Sequence, residues 1–290
     1  MISPGNRLWT VGRDRTLPLG PTGHLMAIIN VTPDSFSDGG RHMNVDVAVA
    51  HALKAVEEGA VILDIGGEST RPGAEPVTPL EEQRRILPVI EALANSTDCL
   101  ISVDTYRAET AMLALEAGAH IVNDVYGLRH DPAMTTVVAE TGAGLIMMHT
   151  GRGREAEKLA DVIDDQRFFF SRQMDVAAKG GIDRDRIILD PGFGFAKDRD
   201  EDFSLMARFE ELTSLDMPLL VGTSRKRFIG FTTGRDQADQ RDVGTAATTA
   251  MLRLAGASLF RVHNVAVNRD ALRMADAVLQ ARGADTETDN

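Results

Sequence analysis

Side chains that could do chemistry recur in this sequence directly after short apolar runs. In chain order they are Asn30, Asp64, Glu68, Arg71, Asp104, Asn123, Asp124, His149, Asp190, Ser224, Lys226, Arg261 and His263. Carboxylates and amides can recognise a heterocycle with N–H donors, arginine and lysine can hold phosphate, and oxygen ligands suit a hard cation such as Mg²⁺. None of these residues is specific alone, but together they predict a polar site at the ends of buried segments.

The apolar runs predict the architecture that must position these side chains. They span residues 26–30, 61–65, 99–105, 120–125, 144–149, 187–192, 218–224 and 258–263. Four of them follow a helix-compatible stretch that closes on Gly-Ala, where glycine suits the left-handed position after a helix. Since the runs are rich in Ile, Val and Leu with little alternation, they predict the eight parallel strands of an α/β fold, a (β/α)8 TIM barrel.

Local signals refine this architecture. Residues 8–19, broken at Gly12, predict a short N-terminal β-hairpin that closes the barrel floor. A capping box with proline at Thr78 to Glu81, and Asp131-Pro132, predict two helix starts. Because barrels of this type place their active sites at the C-terminal strand ends, the polar residues should gather there.

Length and composition narrow the class of protein. A barrel needs about 250 residues, so we expect one domain over residues 1–283 and a flexible polar tail over 284–290. A net charge of −12 and a pI near 5.0 argue against a nucleic-acid partner. Cys99 is the only cysteine, which excludes a disulfide framework, and its place inside an apolar run predicts a core residue. With no apolar membrane span or signal peptide, we expect a cytoplasmic protein without a membrane partner.

Several candidates also have a purely structural interpretation. Asp64 could bond neighbouring backbone, and Asp104 and the pair at 123–124 could be helix N-caps. His149 is better explained as a satisfied rim histidine than as a catalytic one. Lys226 lies in a basic run, which is usually a solvated face, although its place after an apolar run favours function.

Two long loops, over residues 30–40 and 66–73, follow the first two predicted barrel strands and are rich in glycine and turn residues. Glycine lets backbone approach a ligand closely, but neither loop has the spacing of a P-loop or a dinucleotide-binding turn. These loops and strand ends together resemble the dihydropteroate synthases of the folate pathway, members of the pterin-binding barrel enzymes. The resemblance is carried by residues 30–39, 66–73, 102–105, 122–124, 190–195, 224–226 and 261–263, in that order.

The resemblance implies a reaction and its small-molecule substrates. 6-Hydroxymethyl-7,8-dihydropterin diphosphate and 4-aminobenzoate would condense to 7,8-dihydropteroate, with release of diphosphate, and sulfonamides would compete. The pterin contacts implied are Asp104, Asn123, Asp190 and Lys226, with Met148 and Phe195 as apolar walls. The aminobenzoate pocket implied is formed by Phe36, Pro72, Phe195, Ser224 and Lys226.

The resemblance also implies how the diphosphate is held. Asn30 would ligate Mg²⁺, and Thr70, Arg71, Arg261 and His263 would contact the anion. The catalytic set implied is Asn30, Asp34, Arg71, Asp104, Lys226, Arg261 and His263. With cations at the phosphate end and carboxylates at the ring end, we expect a largely dissociative substitution. A homodimer is implied too, with small and apolar helix faces over 243–255 and 265–279 available for it.

One segment departs from the family pattern. After His149 the family often continues with a Gly- and Pro-containing segment that ends in Met, whereas this chain has Thr-Gly-Arg-Gly-Arg-Glu at 150–155 and then an acidic helix. The detail of this loop is therefore open.

Two alternative functions use the same barrel. A corrinoid or folate methyltransferase would need the pterin-reading residues but not the anion contacts at 69–73 and 261–263. A catalytically silent pterin-binding paralogue would carry damage at Asn30, Arg71, Lys226 or His263, all of which are present.

Overall fold

A computed structural model describes residues 7–32, 41–68 and 76–288, with side chains for 7–32, 45–68 and 76–282. The strands are β1 (Arg7–Thr10), β2 (Thr16–Leu19), β3 (His24–Asn30), β4 (Ile62–Gly66), β5 (Leu100–Asp104), β6 (Ile121–Asp124), β7 (Gly144–Met148), β8 (Ile187–Asp190), β9 (Leu220–Val221) and β10 (Leu259–Val262). The helices are α1 (Arg41–Glu58), α2 (Pro79–Ala94), α3 (Ala108–Ala117), α4 (Met134–Thr141), α5 (Val162–Lys179), α6 (Arg199–Ala207), α7 (Arg227–Thr233), α8 (Asp242–Leu254) and α9 (Val265–Thr288). Short 3-10 helices span Arg184–Arg186, Phe209–Leu215 and Asp239–Arg241.

Strands β3 to β10 form the predicted barrel. They pair in parallel in the order β8-β7-β6-β5-β4-β3-β10-β9. A parallel bridge between Leu189 and Leu219 joins β8 to the start of β9, and the Leu189 N–H donates to the Pro218 carbonyl at 3.0 Å. This bridge closes the ring of strands, and each of the eight predicted apolar runs overlaps one of them.

The strand register brings the polar run ends to one rim. Asn30 pairs with Gly66, Gly66 with Asp104, and Asp104 with Asn123. Asp190 lies opposite Met148 in the same way. Because all these pairs are parallel, their C-terminal ends open on the same side of the barrel.

The opposite end is sealed by the predicted hairpin. β1 and β2 pair antiparallel, and Trp9, Val11, Leu17 and Leu19 form one buried cluster with residues at the amino-terminal side of the barrel strands. The strand residues of this cluster are Met26, Ile62, Leu100, Ile121, Ile146, Ile188, Leu220 and Leu259. The Trp9 indole donates to the Arg186 carbonyl at 2.8 Å, so its polar atom is satisfied within this floor.

Helix ends follow local rules with two exceptions. Thr78 caps α2 by accepting from the Glu81 N–H at 3.2 Å, but the Glu81 carboxylate accepts from Arg85 rather than completing the predicted capping box. The predicted helix start at Asp131-Pro132 lies two residues early, since α4 begins at Met134. Asp131 Oδ1 accepts from the Ala133 N–H just before α4 at 3.0 Å, and its Oδ2 accepts from the Ala108 N–H at 2.9 Å, so it also bonds the start of α3.

The four glycines predicted to follow helices all have positive φ, from 64° at Gly142 to 128° at Gly118. The carboxyl-terminal helix α9 continues to Thr288, into the segment predicted as a tail. The domain boundaries stay a prediction. Among the described residues, no helix has both the length and the apolar character that crossing a membrane requires.

Candidate active site

A cleft of about 930 Å³ opens at the C-terminal end of the barrel. Seven of the predicted site residues line it: Asn30, Asp104, Phe195, Ser224, Lys226, Arg261 and His263. Asn123 and Asp190 are buried and do not line it. Asp34, Phe36, Thr70, Arg71 and Pro72 lie outside the described residues.

Arg261 joins the carboxylates at one part of the cleft. Its Nε donates to Asp64 Oδ2 at 2.6 Å, and its Nη2 donates to Asp104 Oδ2 at 2.6 Å. The Asn123 amide donates to the same Asp64 oxygen at 3.1 Å. Strands β4, β5, β6 and β10 thus meet in one hydrogen-bonded network.

Asp64 belongs to this network although the predicted site set omits it. The Asp64 carboxylate bonds the side chains of Asn123 and Arg261 rather than neighbouring backbone, so the purely structural interpretation of Asp64 is wrong. The signal was available: side chains alternate along a strand, and Ile62 two residues earlier points into the barrel floor. A carboxylate two residues further along the same strand also points into the barrel, where it needs a cationic partner.

Burial sets the charges of this network. Burial raises the pKa of Asp104 above its usual range, and the Asp64 carboxylate adds to the effect, while Arg261 opposes it. Burial disfavours the charge of Arg261, but the Asp64 and Asp104 carboxylates outweigh it and hold its pKa above the usual range. Arg261 is therefore a permanent cation fixed by two carboxylates.

Asp190 and Lys226 provide a second pair of opposite charges. Asp190 Oδ1 accepts from the Gly192 N–H at 2.7 Å, and burial raises the pKa of this carboxyl to about 6. Burial, followed by the charge of Arg261, lowers the pKa of Lys226 to about 8. The Lys226 Nζ also lies 4.0 Å from the centre of the Phe195 ring.

The basic run around Lys226 lines the cleft, and its residues differ in their partners. Arg225 has φ 58° and pairs with Asp242 at 2.7 and 2.9 Å, whereas Lys226 lies against the Phe195 ring. The solvated-face interpretation is therefore wrong for Lys226. Arg227, the first residue of α7, is exposed at the rim.

Next to Arg261, the cleft also contains groups suited to an anion. The Ser224 hydroxyl accepts from the backbone N–H of His263 at 3.1 Å and lies 2.9 Å from Nδ1 of the His263 imidazole. Asn30, at the end of β3, and Arg261 line the same space. Hydroxyl, imidazole, amide and guanidinium groups are the donors that phosphate oxygens accept from.

Four other predictions have definite outcomes. Asp124 accepts from the Tyr126 and Leu128 N–H groups at 2.8 and 2.7 Å, so it stabilises a turn rather than the site. Asp104 is not an N-cap, since α3 begins four residues later. His149 is a buried, fully bonded histidine, as expected. Met148 is buried opposite Asp190 and does not line the cleft.

A magnesium ion would have few protein ligands here. Within the described ranges no group of three or more His, Cys, Asp or Glu side chains could hold a metal. The Asn30 amide oxygen alone fits an ion that takes its remaining ligands from a diphosphate and water, the usual coordination of Mg²⁺ at phosphate sites.

The barrel and its polar rim agree with a family assignment. The sequence profile described as pterin binding enzyme matches residues 26–263. The chain belongs to this family of pterin-binding enzymes.

Relatives narrow the similarity further. The dihydropteroate synthase of Bacillus subtilis strain 168 is 42% identical over 259 residues, which cover 89% of this chain and 90% of the relative. The Xanthomonas albilineans enzyme in complex with 7,8-dihydropteroate has a TM-score of 0.83 and 42% identity over 91% of this chain and 96% of its own. The Yersinia pestis dihydropteroate synthase with a sulfonamide drug complex has a TM-score of 0.85 and 38% identity, over 92% and 98%. Within the family, this chain is similar to dihydropteroate synthases over most of its length.

Proposed function

We propose that this protein is a dihydropteroate synthase, a transferase that joins 6-hydroxymethyl-7,8-dihydropterin diphosphate to 4-aminobenzoate in folate biosynthesis. The observation that carries the proposal is the buried network in which Arg261 lies between Asp64 and Asp104, beside Asp190 and Lys226. Its charged acceptors and donors complement the N–H groups and carbonyl of a pterin ring. Relatives solved with dihydropteroate and with a sulfonamide support this assignment.

The ring-binding roles follow from which atoms remain available. Asp190 Oδ1 is occupied by Gly192, so its other oxygen accepts from the pterin N–H donors. Asn123 donates one amide hydrogen to Asp64 and offers its carbonyl oxygen to the ring. Lys226 donates to the pterin carbonyl or a ring nitrogen, and Asp104 and Arg261 face the ring system.

The diphosphate lies toward Asn30, Arg261 and His263. Guanidinium and imidazole N–H groups stabilise the negative charge that collects on the departing oxygen. Thr70 and Arg71, predicted from the sequence, would add to this set. Mg²⁺, held by Asn30 together with the diphosphate, would supply further positive charge.

In the reaction the bond from the pterin methylene carbon to the diphosphate oxygen breaks, and a bond from that carbon to the aminobenzoate nitrogen forms. The amine then loses a proton to water. Because the aromatic amine is already a free nucleophile at neutral pH, activation of the leaving group matters more than a strong base. The carboxylates of Asp104 and Asp190 at the ring end stabilise positive charge that develops on the pterin, which favours a largely dissociative substitution.

The aminobenzoate enters on the side of Phe195, Ser224 and Lys226, which line the cleft together. The Phe195 ring provides an apolar wall for the benzene ring, and Ser224 and Lys226 provide polar groups for its carboxylate. Phe36 and Pro72 are predicted to complete this pocket. A sulfonamide, which presents a similar aryl amine, would occupy the same space.

We also propose a homodimer that uses α8 and α9. Val243 and Met251 on α8 are 77% and 56% exposed, and Met274 on α9 is 68% exposed. Apolar side chains at this exposure, on two helices that pack against each other, form a surface that a second copy could cover.

The test is product formation by the purified protein with both substrates and Mg²⁺. We expect dihydropteroate, loss of activity with a chelator, and competition between a sulfonamide and 4-aminobenzoate. Asp190→Asn should weaken binding of the pterin diphosphate about 10- to 100-fold, as expected when a charged hydrogen bond is lost. Pterin binding without product would identify a silent paralogue, and methyl transfer from a folate would identify a methyltransferase.

A further inference from the structure

The segment that departs from the family pattern builds a buried polar cluster beside the cleft, formed by His149, Arg154, Asp165 and Lys197. Arg154 donates to both oxygens of Asp165, at 2.8 and 3.1 Å. His149 Nε2 lies 2.8 Å from Asp165 Oδ2, and Lys197 Nζ lies 2.9 Å from His149 Nδ1. His149, Arg154 and Asp165 are almost completely buried.

The hydrogen bonds in this cluster have a defined direction. The Lys197 ammonium can only donate, so His149 Nδ1 accepts from it and the imidazole proton is on Nε2, where it faces Asp165 Oδ2. Arg154 Nη1, which can also only donate, lies 2.9 Å from the same Nε2 and 3.1 Å from Asp165 Oδ2, so its hydrogen bond goes to the carboxylate. Burial, followed by the charge of Lys197, lowers the pKa of His149 to about 3, so the imidazole stays neutral. The chain of contacts therefore runs from the Asp165 carboxylate through a neutral imidazole to Lys197.

Lys197 in turn holds the loop over residues 191–197. Its Nζ also donates to the Gly192 carbonyl at 3.0 Å. The same helix that carries Asp165 holds the start of the loop, where Gln166 donates to the Pro191 carbonyl at 3.0 Å. Gly192 has φ 68°, and a Cβ there would lie 2.0 Å from the His149 carbonyl oxygen, so the loop packs directly on the strand end below it.

Phe195 is the aromatic residue among the four that this loop contributes to the cleft lining, the others being Gly194, Ala196 and Lys197. Its ring centre lies 4.0 Å from the Lys226 Nζ, and both residues line the cleft with Lys197. The loop has a further anchor at Gly194, whose N–H donates to Asp202 at 2.8 Å. The Phe195 N–H donates to the Gly192 carbonyl at 3.1 Å, so Phe195 and Lys197 share this acceptor. The guanidinium carbon of Arg152 lies 5.5 Å from the Phe195 ring centre.

We propose that Lys197 and Asp165, acting through His149, are positioning residues that hold Phe195 against the aryl amine substrate. This inference rests on the proposed synthase function. It gives the segment at 150–165 a role, because Arg154 neutralises the buried Asp165 that orients the imidazole. A wall that shifts by about 1 Å can cost on the order of 100-fold in rate.

The main variant is Lys197→Met, which keeps the length of the side chain and removes both hydrogen bonds. We expect kcat/KM for 4-aminobenzoate to fall about 10- to 100-fold, with the KM of the amine raised and the Kd of the pterin diphosphate unchanged. Asp165→Asn, which keeps an acceptor for His149, should lose less. The control is Arg172→Met, which removes an exposed ion pair to Glu157 from the same helix and should change neither constant.

A double-mutant cycle with Phe195→Leu separates positioning from a general structural role. If Lys197 acts through Phe195, the double variant should be no worse than Phe195→Leu alone. Additive losses in the double variant would overturn the inference. So would a Lys197→Met variant that loses pterin diphosphate binding as strongly as it loses kcat/KM for the amine and that also loses unfolding free energy. Wild-type protein without synthase activity would contradict the proposed function instead, so the two failures are distinguishable.

Discussion

At the scale of single residues, burial rather than residue type decides which charges the cleft carries. Asp190 and Lys226 are ordinary residues in the sequence, yet burial moves their pKa values toward each other, to about 6 and about 8. Groups tuned in this way are typical of functional sites. Their charges are also the ones that a pterin requires, a carboxylate to accept and an ammonium to donate.

These two pKa values predict a bell-shaped pH dependence. The carboxylate form of Asp190 is lost as the pH falls through about 6, and the ammonium form of Lys226 is lost as the pH rises through about 8. We expect kcat/KM for the pterin diphosphate to decline outside this window, since this constant reports the free enzyme. Steady-state kinetics over the pH range would measure it.

Lys226→Arg supplies the control for this pH profile. Arginine stays protonated at all accessible pH values, so the alkaline limb should disappear even if the activity that remains is low. An alkaline limb that persists near pH 8 in this variant would assign the titration to another group.

At the scale of secondary-structure elements, the barrel separates stability from chemistry. The hairpin β1–β2 seals the amino-terminal end, while the polar residues occupy the opposite rim. Barrel enzymes in general divide their two ends in this way. Changes to the hairpin should therefore affect folding and leave the reaction intact.

Trp9→Ala tests this separation. Trp9 is buried in the floor, and truncating a buried aromatic side chain costs about 3–5 kcal/mol of unfolding free energy. Urea unfolding followed by circular dichroism would measure the loss, and kcat at low temperature should stay within about twofold of wild type because no cleft residue moves. Leu8→Ala, at a side chain that is 56% exposed, should change stability by less than about 0.5 kcal/mol. A large rise in KM for either substrate in Trp9→Ala would show that the floor and the site are coupled.

At the scale of the whole molecule, the net charge opposes self-association, whereas the exposed apolar side chains favour it. Each chain carries a net charge of −12, so two copies repel each other at long range. The exposed apolar residues on α8 and α9 must supply the contact that overcomes this repulsion in the proposed dimer. Without a partner, these residues would expose an apolar patch to water, which is uncommon on a monomeric protein.

The double variant Val243→Asp with Met251→Asp tests the dimer. Sedimentation equilibrium should give a dimer for the wild type and a monomer for the double variant, with circular dichroism unchanged. Val176→Asp on α5, at a side chain that is 39% exposed, is the control and should remain dimeric. A monomeric wild type, or a double variant that stays dimeric, would contradict this interface.

The amino-acid sequence by itself determined the elements of this protein. Eight apolar runs became eight strands, residues 8–19 became the floor hairpin, and the glycines after helices took positive φ. These features depend on stereochemistry and on hydrophobic patterning over a few residues, which can be read locally. The polar run ends could be placed on one rim for the same reason, because parallel strands point one way.

Only the tertiary structure decided which polar residues act together. Asp64 joined the site through Arg261, which lies 197 positions later, and Lys197 reached His149 across 48 positions. Asp131 bonds the start of α3 as well as the turn before α4, and Arg225 pairs with Asp242 while its neighbour Lys226 lies against Phe195. Such contacts, and the pKa values that burial produces, depend on which distant segments pack against each other, and no local pattern contains that information.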